Sequence, residues 1–163
     1  MIPCISIAQP WAWAICQGLK RVENRTWTTR HRGQIVIHAG KRRDLYDEVV
    51  RLASNDPPYP NFPENVRAAR ALTERGLPPF DDLPRGAFVA TAVLECIFDA
   101  RDPRNNVRSI DPLFAFGPSC WVLSNVKPLA KPVPGIGHQA LWEAPDELLA
   151  EIGMLASRPD GQR

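Results

Sequence analysis

Apolar positions recur along this chain in short stretches whose spacing alternates between that of strands and that of helices, with proline or glycine at the breaks. Residues 2–7 read as a strand that ends at Ala8 and Gln9. Pro10 suits the first turn of a helix, where its missing N–H costs nothing. A short helix is therefore expected over 10–17, closed by Gly18, which takes the left-handed conformation at little steric cost. Trp11, Ala14 and Ile15 fall on its core side, while Trp13 points away, either to pack under a neighbouring loop or to stack on a base. Residues 22–28 then alternate as a strand. Glu23, Arg25 and Trp27 share one face, Val22, Asn24 and Thr26 the other, and Lys20 sits at the entrance, where its long side chain can swing over the charged face.

A turn over 29–33 leads to a second strand, 34–39, with Ile35 and Ile37 on one face and Val36 and His38 on the other. His38 is placed inside a barrel beside the charged stretch, as a hydrogen-bonded structural residue or as a proton-transfer group. An amphipathic helix is expected over 41–54, burying Leu45, Val49 and Leu52, and a second over 64–75, burying Val66, Ala69 and Leu72 and closed by Gly76. The four-proline run 55–63 joins them as a loop, and the pair, about 41–76, reads as an insertion over one edge of the barrel. After a proline-rich connection, 86–99 forms the longest strand, with Phe88, Ala90, Ala92, Leu94, Cys96 and Phe98 as one apolar face and Glu95 on the other. Glu95 is either functional or half of a strand-edge salt bridge. The irregular stretch 100–118, with Arg101, Arg104 and Arg108, has the character of a binding loop. Another strand follows over 119–126. Its sequel 128–137 holds three prolines and is restricted to an edge or a loop. Leu141 and Trp142 close the barrel, 145–156 forms a last helix, and 157–163 is a flexible tail after a single domain spanning 1–156.

Composition changes this picture little. With 163 residues, 44% of them hydrophobic and 23% charged, the chain suits one globular domain with a real core, and its 17 prolines favour short elements and ordered loops. Charge changes it more. The net charge is +2, yet residues 20–43 hold eight basic side chains against the single acid Glu23, leaving the remainder acidic. That split marks either a cationic face for a phosphate backbone or a basic edge that keeps a sheet soluble. The four cysteines show no metal-ligand spacing. Cys4, Cys96 and Cys120 lie in apolar strand patterns and read as small buried hydrophobes. No zinc or other cofactor is called for, no signal peptide precedes the first strand, and no apolar run approaches the ~18 residues of a membrane span. The expected home is the reducing cytoplasm.

The string Ile5-Ser6-Ile7-Ala8-Gln9-Pro10-Trp11-Ala12, followed by G-x-K-x-x-E-x-R at Gly18, Lys20, Glu23 and Arg25, resembles the ASCH (activating signal cointegrator homology) domain. The likeness runs on through Trp27, His31-Arg32-Gly33 and Ile35-Val36-Ile37-His38-Ala39. Weaker echoes follow at 83–87, at Phe116-Gly117-Pro118, at Cys120-Trp121-Val122 and at Gln139-Ala140-Leu141-Trp142. The resemblance implies an α+β, PUA-like mixed β-barrel with flanking helices. It also implies RNA or DNA binding, hydrolysis of acetylated cytidine nucleosides, or ribonuclease activity.

In the amidohydrolase branch the resemblance aligns Lys20 and Arg25 with family positions but puts Glu23 where that branch has a nucleophilic threonine, so the attacking group is lost. Asp111 and Glu95 are the candidates for that branch's further glutamate. A water-based reaction would use Lys20 as base, Glu23 to position water and Arg25 on an oxyanion, and a ribonuclease would use Lys20 or His38 on a ribose hydroxyl. The alternative is an ion network that only shapes the barrel mouth. For binding the parts list is fuller. Lys20, Arg21, Arg25, Arg30 and Arg32 suit phosphates, Trp11, Trp13 or Trp27 suits an unpaired base, and Glu23 can accept from an exocyclic amine. Gln9 and His38 complete the candidate contacts. The expectation is a base pocket in an RNA- or nucleotide-binding module, with the partner an RNA, a DNA or a nucleoside and no membrane.

Overall fold

A computed structural model of the chain describes residues 1–54, 63–105, 110–111 and 113–154. Six strands form one sheet in the order β2-β5-β4-β3-β1-β6. They are β1 (Pro3–Ile7), β2 (Val22–Arg25), β3 (Gly33–Ala39), β4 (Ala87–Phe98), β5 (Ser119–Pro134) and β6 (Leu141–Glu143). The helices are α1 (Trp11–Cys16), α2 (Asp44–Ala53), α3 (Pro63–Glu74) and α4 (Asp146–Glu151). β1 and β3 run parallel, and every other pairing is antiparallel. The sheet curls into a half-barrel with its largest buried cluster on the inner face, an α+β architecture. Among the described residues no helix is long and apolar enough to cross a membrane.

Both faces of the sheet are covered, which explains why Ile35, Val36 and Ile37 of β3 are apolar in succession. Ile35 and Ile37 point inward with Ile5, Ile7, Ala92, Leu94, Trp121 and Leu123, against Ala12 and Ile15 of α1. Val36 points outward with Cys4 and Phe88 onto Leu148 and Leu149 of α4. A third cluster joins Ala14 to Val49 and Leu52 of α2 and to Ala68, Ala69 and Leu72 of α3. The loop expected over 55–63, Arg108 and the tail 157–163 lie outside the described residues, apart from Pro63, which opens α3.

Four expectations need correction. β2 stops at Arg25 rather than continuing to residue 28, so Trp27 stands beyond it. β4 does not present one apolar face: register shifts fall at Phe88/Ala90, Thr91/Val93 and Leu94/Cys96. A bulge moves side chains to the opposite face. Phe88 accordingly joins the α4 side while Ala90, Ala92 and Leu94 face inward, and Cys96 is exposed rather than buried. The strand expected to end at 126 runs on to Pro134, and 128–134 take the edge reading: they pair with β4, and Pro128, Pro132 and Pro134 occupy the half with no second neighbour among the described residues, where a missing N–H leaves no gap in a ladder. Finally, β6 pairs only with β1, so Leu141 and Trp142 end the sheet rather than close it. The seam between the β2 and β6 edges stays open.

Candidate functional site

α1 ends where Gly18 adopts φ +69°, and the amides of Leu19 and Lys20 turn back to the carbonyl of Ala14. This reversal sends the Lys20 side chain inward, to 2% exposure. There its ammonium donates to the carbonyl of Val22 and, at 2.7 Å, to Glu23 Oε2. Glu23 Oε1 lies 3.3 Å from Arg25 Nη2, and the same nitrogen donates to the carbonyl of Ser6 at 2.6 Å. Arg25 thereby ties the β2 edge to β1 across the open seam. Lys20, Glu23 and Arg25 do converge, as a buried network of net charge +1. Its Arg25 Nε is a buried donor with no acceptor among the described residues.

The network forms one wall of a cavity of about 810 Å³, within the usual range for ligand sites. Trp11 and Trp27 line it, with the Lys20 ammonium 5.9 Å from the centre of the Trp11 ring and Trp27 set edge-on to Trp121 at 4.7 Å. The facing wall comes from distant sequence: Arg42, Leu45 and Glu48 at the start of α2, and His138, Gln139 and Ala140 before β6. Sequence reasoning missed all six. Only the Gln139-Ala140 echo hinted at any of them.

Other expected site residues lie elsewhere. Gln9 is fully buried, donating to the Pro84 carbonyl and accepting from the Trp13 amide, so it braces α1 rather than facing the cavity. Trp13 packs beside Leu77 against the clusters of α2 and α3, the first of its two readings. Arg21, Arg30 and Arg32 are exposed and do not line the cavity, and Arg32 donates to the carbonyls of Thr29 and His31 in its own turn. His38 is buried on the outer side of the sheet against Phe88 and Trp142, not beside Lys20. Of the two carboxylates proposed as a further acid, Glu95 is exposed and accepts from the Ser124 hydroxyl. Asp111 accepts from the amides of Arg21, Leu113 and Phe114, which engages it in shaping its loop. Asn24 holds the same loop through Phe114 and Phe116.

A curled sheet with a helix after its first strand and a cavity at the seam is the PUA-like class. The ASCH domain family model matches residues 5–132, and the chain belongs to that family. It is 45% identical over 49 residues to human activating signal cointegrator 1 and 47% identical over 49 residues to the mouse protein, stretches that cover 30% of this chain and 8% of each relative. The chain thus spans only about 8% of the length of those curated relatives.

Proposed function

We propose that the cavity receives one unpaired base of a single-stranded RNA, with the flanking phosphates lying toward its positively charged rim. The observation that carries this reading is the Lys20–Glu23–Arg25 network, two cations on one carboxylate in the cavity wall, set between Trp11 and Trp27. Aromatic rings bind the face of any base, the carboxylate accepts from an exocyclic amine, and a buried guanidinium holds a carbonyl or phosphate oxygen. Family membership supports the same reading.

The geometry speaks for binding over hydrolysis. The Lys20 nitrogen is held against two acceptors, the Val22 carbonyl and Glu23, an arrangement that suits a fixed cation in a binding wall. Glu23, in the place of a nucleophilic hydroxyl, is held by two cations.

Binding of a labelled single-stranded oligoribonucleotide across a salt series tests the proposal. Affinity should fall with salt in proportion to the phosphates engaged. Arg25→Ala, which removes one of the two cations, should weaken binding at least about tenfold, whereas Arg25→Lys retains part of it. Equal affinity of wild type and Arg25→Ala at every salt concentration sinks the reading.

A further inference from the structure

The segment 135–140, whose His138, Gln139 and Ala140 line the cavity, is held from behind by a side chain that does not itself line it. The Gly135 amide donates to the Gly86 carbonyl at 3.0 Å, and the Gly135 carbonyl is 3.2 Å from His38 Nε2. A carbonyl only accepts, so Nε2 carries the hydrogen and Nδ1, 3.3 Å from the Ser6 hydroxyl, is the acceptor of a neutral imidazole. Two glycines lay the segment flat on this support. A Cβ at Gly135 would overlap the Phe88 ring, and one at Gly137 would overlap the His38 ring and come within 2.7 Å of Ser6 Oγ. Glycine is required here by close approach, not by backbone angle. On the cavity side the segment presents His138, whose ring packs 4.8 Å from that of Trp142, then Gln139 and Ala140. Ala140 holds φ +58°, a conformation that a residue with a side chain keeps only when its surroundings impose it.

We propose that His38 is a positioning residue for the cavity, and that it holds residues 135–140 as a pH-sensitive wall whose His138 and Gln139 face the ligand. This rests on the RNA-binding reading above.

The wall's response to acid follows from what surrounds the imidazole. Ser6 of β1, Phe88 of β4, Trp142 of β6 and the two glycines are uncharged, and the charged or titratable groups acting on it are Lys41, just past β3, and His138. Burial and both of these neighbours push His38 below its ordinary value of 6.5, although the Gly135 carbonyl opposes them. Ser6 can rotate its hydroxyl to accept from a protonated ring, so the cost of protonation is burial and repulsion rather than a lost hydrogen bond. A state with the wall lifted and the ring in water takes up its proton at the ordinary value. Acid therefore favours the lifted state: the hold is complete above about pH 6.5 and weakens as pH falls below it.

Amide hydrogen exchange, corrected for the intrinsic pH dependence, reads the wall directly, and affinity for the labelled oligoribonucleotide reads its consequence. From about pH 7 to pH 5.5 the wild type should lose protection at 135–140 by up to about tenfold, with RNA affinity falling as far as the lifted state comes to hold a sizeable share of the molecules. His38→Gln keeps a neutral donor toward Gly135 and should flatten both profiles. Gly137→Ala pushes the wall off the ring and should show, already at neutral pH, the exchange and the weakened binding of the acid form. Protection in the wild type that ignores pH overturns the proposal, as does a His38→Gln profile that tracks the wild type. So does wild-type affinity in a Gly137→Ala protein whose wall exchanges freely. If Arg25→Ala leaves RNA binding unchanged, it is the base-pocket reading that fails, and the exchange measurements still decide whether His38 holds the wall.

Discussion

Arginine and carboxylate side chains meet in two very different settings in this molecule. On the surface, Arg101 with Asp99 and Arg104 with Asp102 form tight pairs two residues apart in sequence, 2.7 and 2.6 Å across, with both arginines largely exposed. At the cavity, the Lys20 and Glu23 side chains are 3% and 10% exposed, and Arg25 has only 23% of its side chain in solvent. The surface pairs are as short as the Lys20–Glu23 contact and shorter than Arg25–Glu23, yet of smaller consequence, because water screens them and competes for each partner. The cavity network has lost most of its water, keeping solvent chiefly at Arg25. Its internal attractions must offset that loss, and two cations against one acid cannot do so completely. Distance does not separate the two sets and burial does; burial is the better guide to function.

The largest effect should come from breaking the buried set. Glu23→Ala leaves two cations facing each other without their acid, and should cost about 3–5 kcal/mol in denaturant unfolding. A loss near zero would mean that water already reaches the network. Replacing the whole set sharpens the contrast. Lys20→Met, Glu23→Leu and Arg25→Leu together should recover stability to within about 1–2 kcal/mol of wild type, since well-packed apolar groups often equal a buried ion network. The same triple variant should no longer bind the oligoribonucleotide. Retained binding would place the interaction elsewhere on the surface. The smallest effect is expected at the exposed pairs: Arg101→Ala and Arg104→Ala should leave the unfolding midpoint and the RNA affinity unchanged. The Arg101 guanidinium holds the Asp99 carboxyl down at about 2, from an ordinary 3.8. That shift contributes stability only above pH 3.8 and is lost as pH falls toward 2, so any measurable share of the pair appears as a small difference between wild type and Arg101→Ala at neutral pH that closes in strong acid.

The same contrast shows which parts of the site were legible beforehand. Lys20, Glu23 and Arg25 lie within six residues, and their convergence needs only a glycine to end one helix and a strand's alternation to carry the next side chains to one face. Each of those is a local rule. Arg42, Glu48, His138 and Gln139 come from segments that meet the network only after the sheet has curled, and no spacing in the chain announces that meeting. His38 marks where a correct local rule still misleads. Its alternation with Ile35 and Ile37 was readable, yet the side it shares with Val36 and Phe88 is the outer one, and the cavity lies on the other.

Taken alone, the order of residues determined the short apolar elements, the glycine that ends the first helix, the charged strand beyond it and kinship with a family, because all of these depend on neighbours a few positions apart. Only the folded chain decided that the sheet stays open at the β2 and β6 edges, that bulges swap the faces of β4, and that a glycine-lined segment completes the cavity. Those outcomes depend on how strands far apart in sequence come into register, and register is a property of the whole sheet.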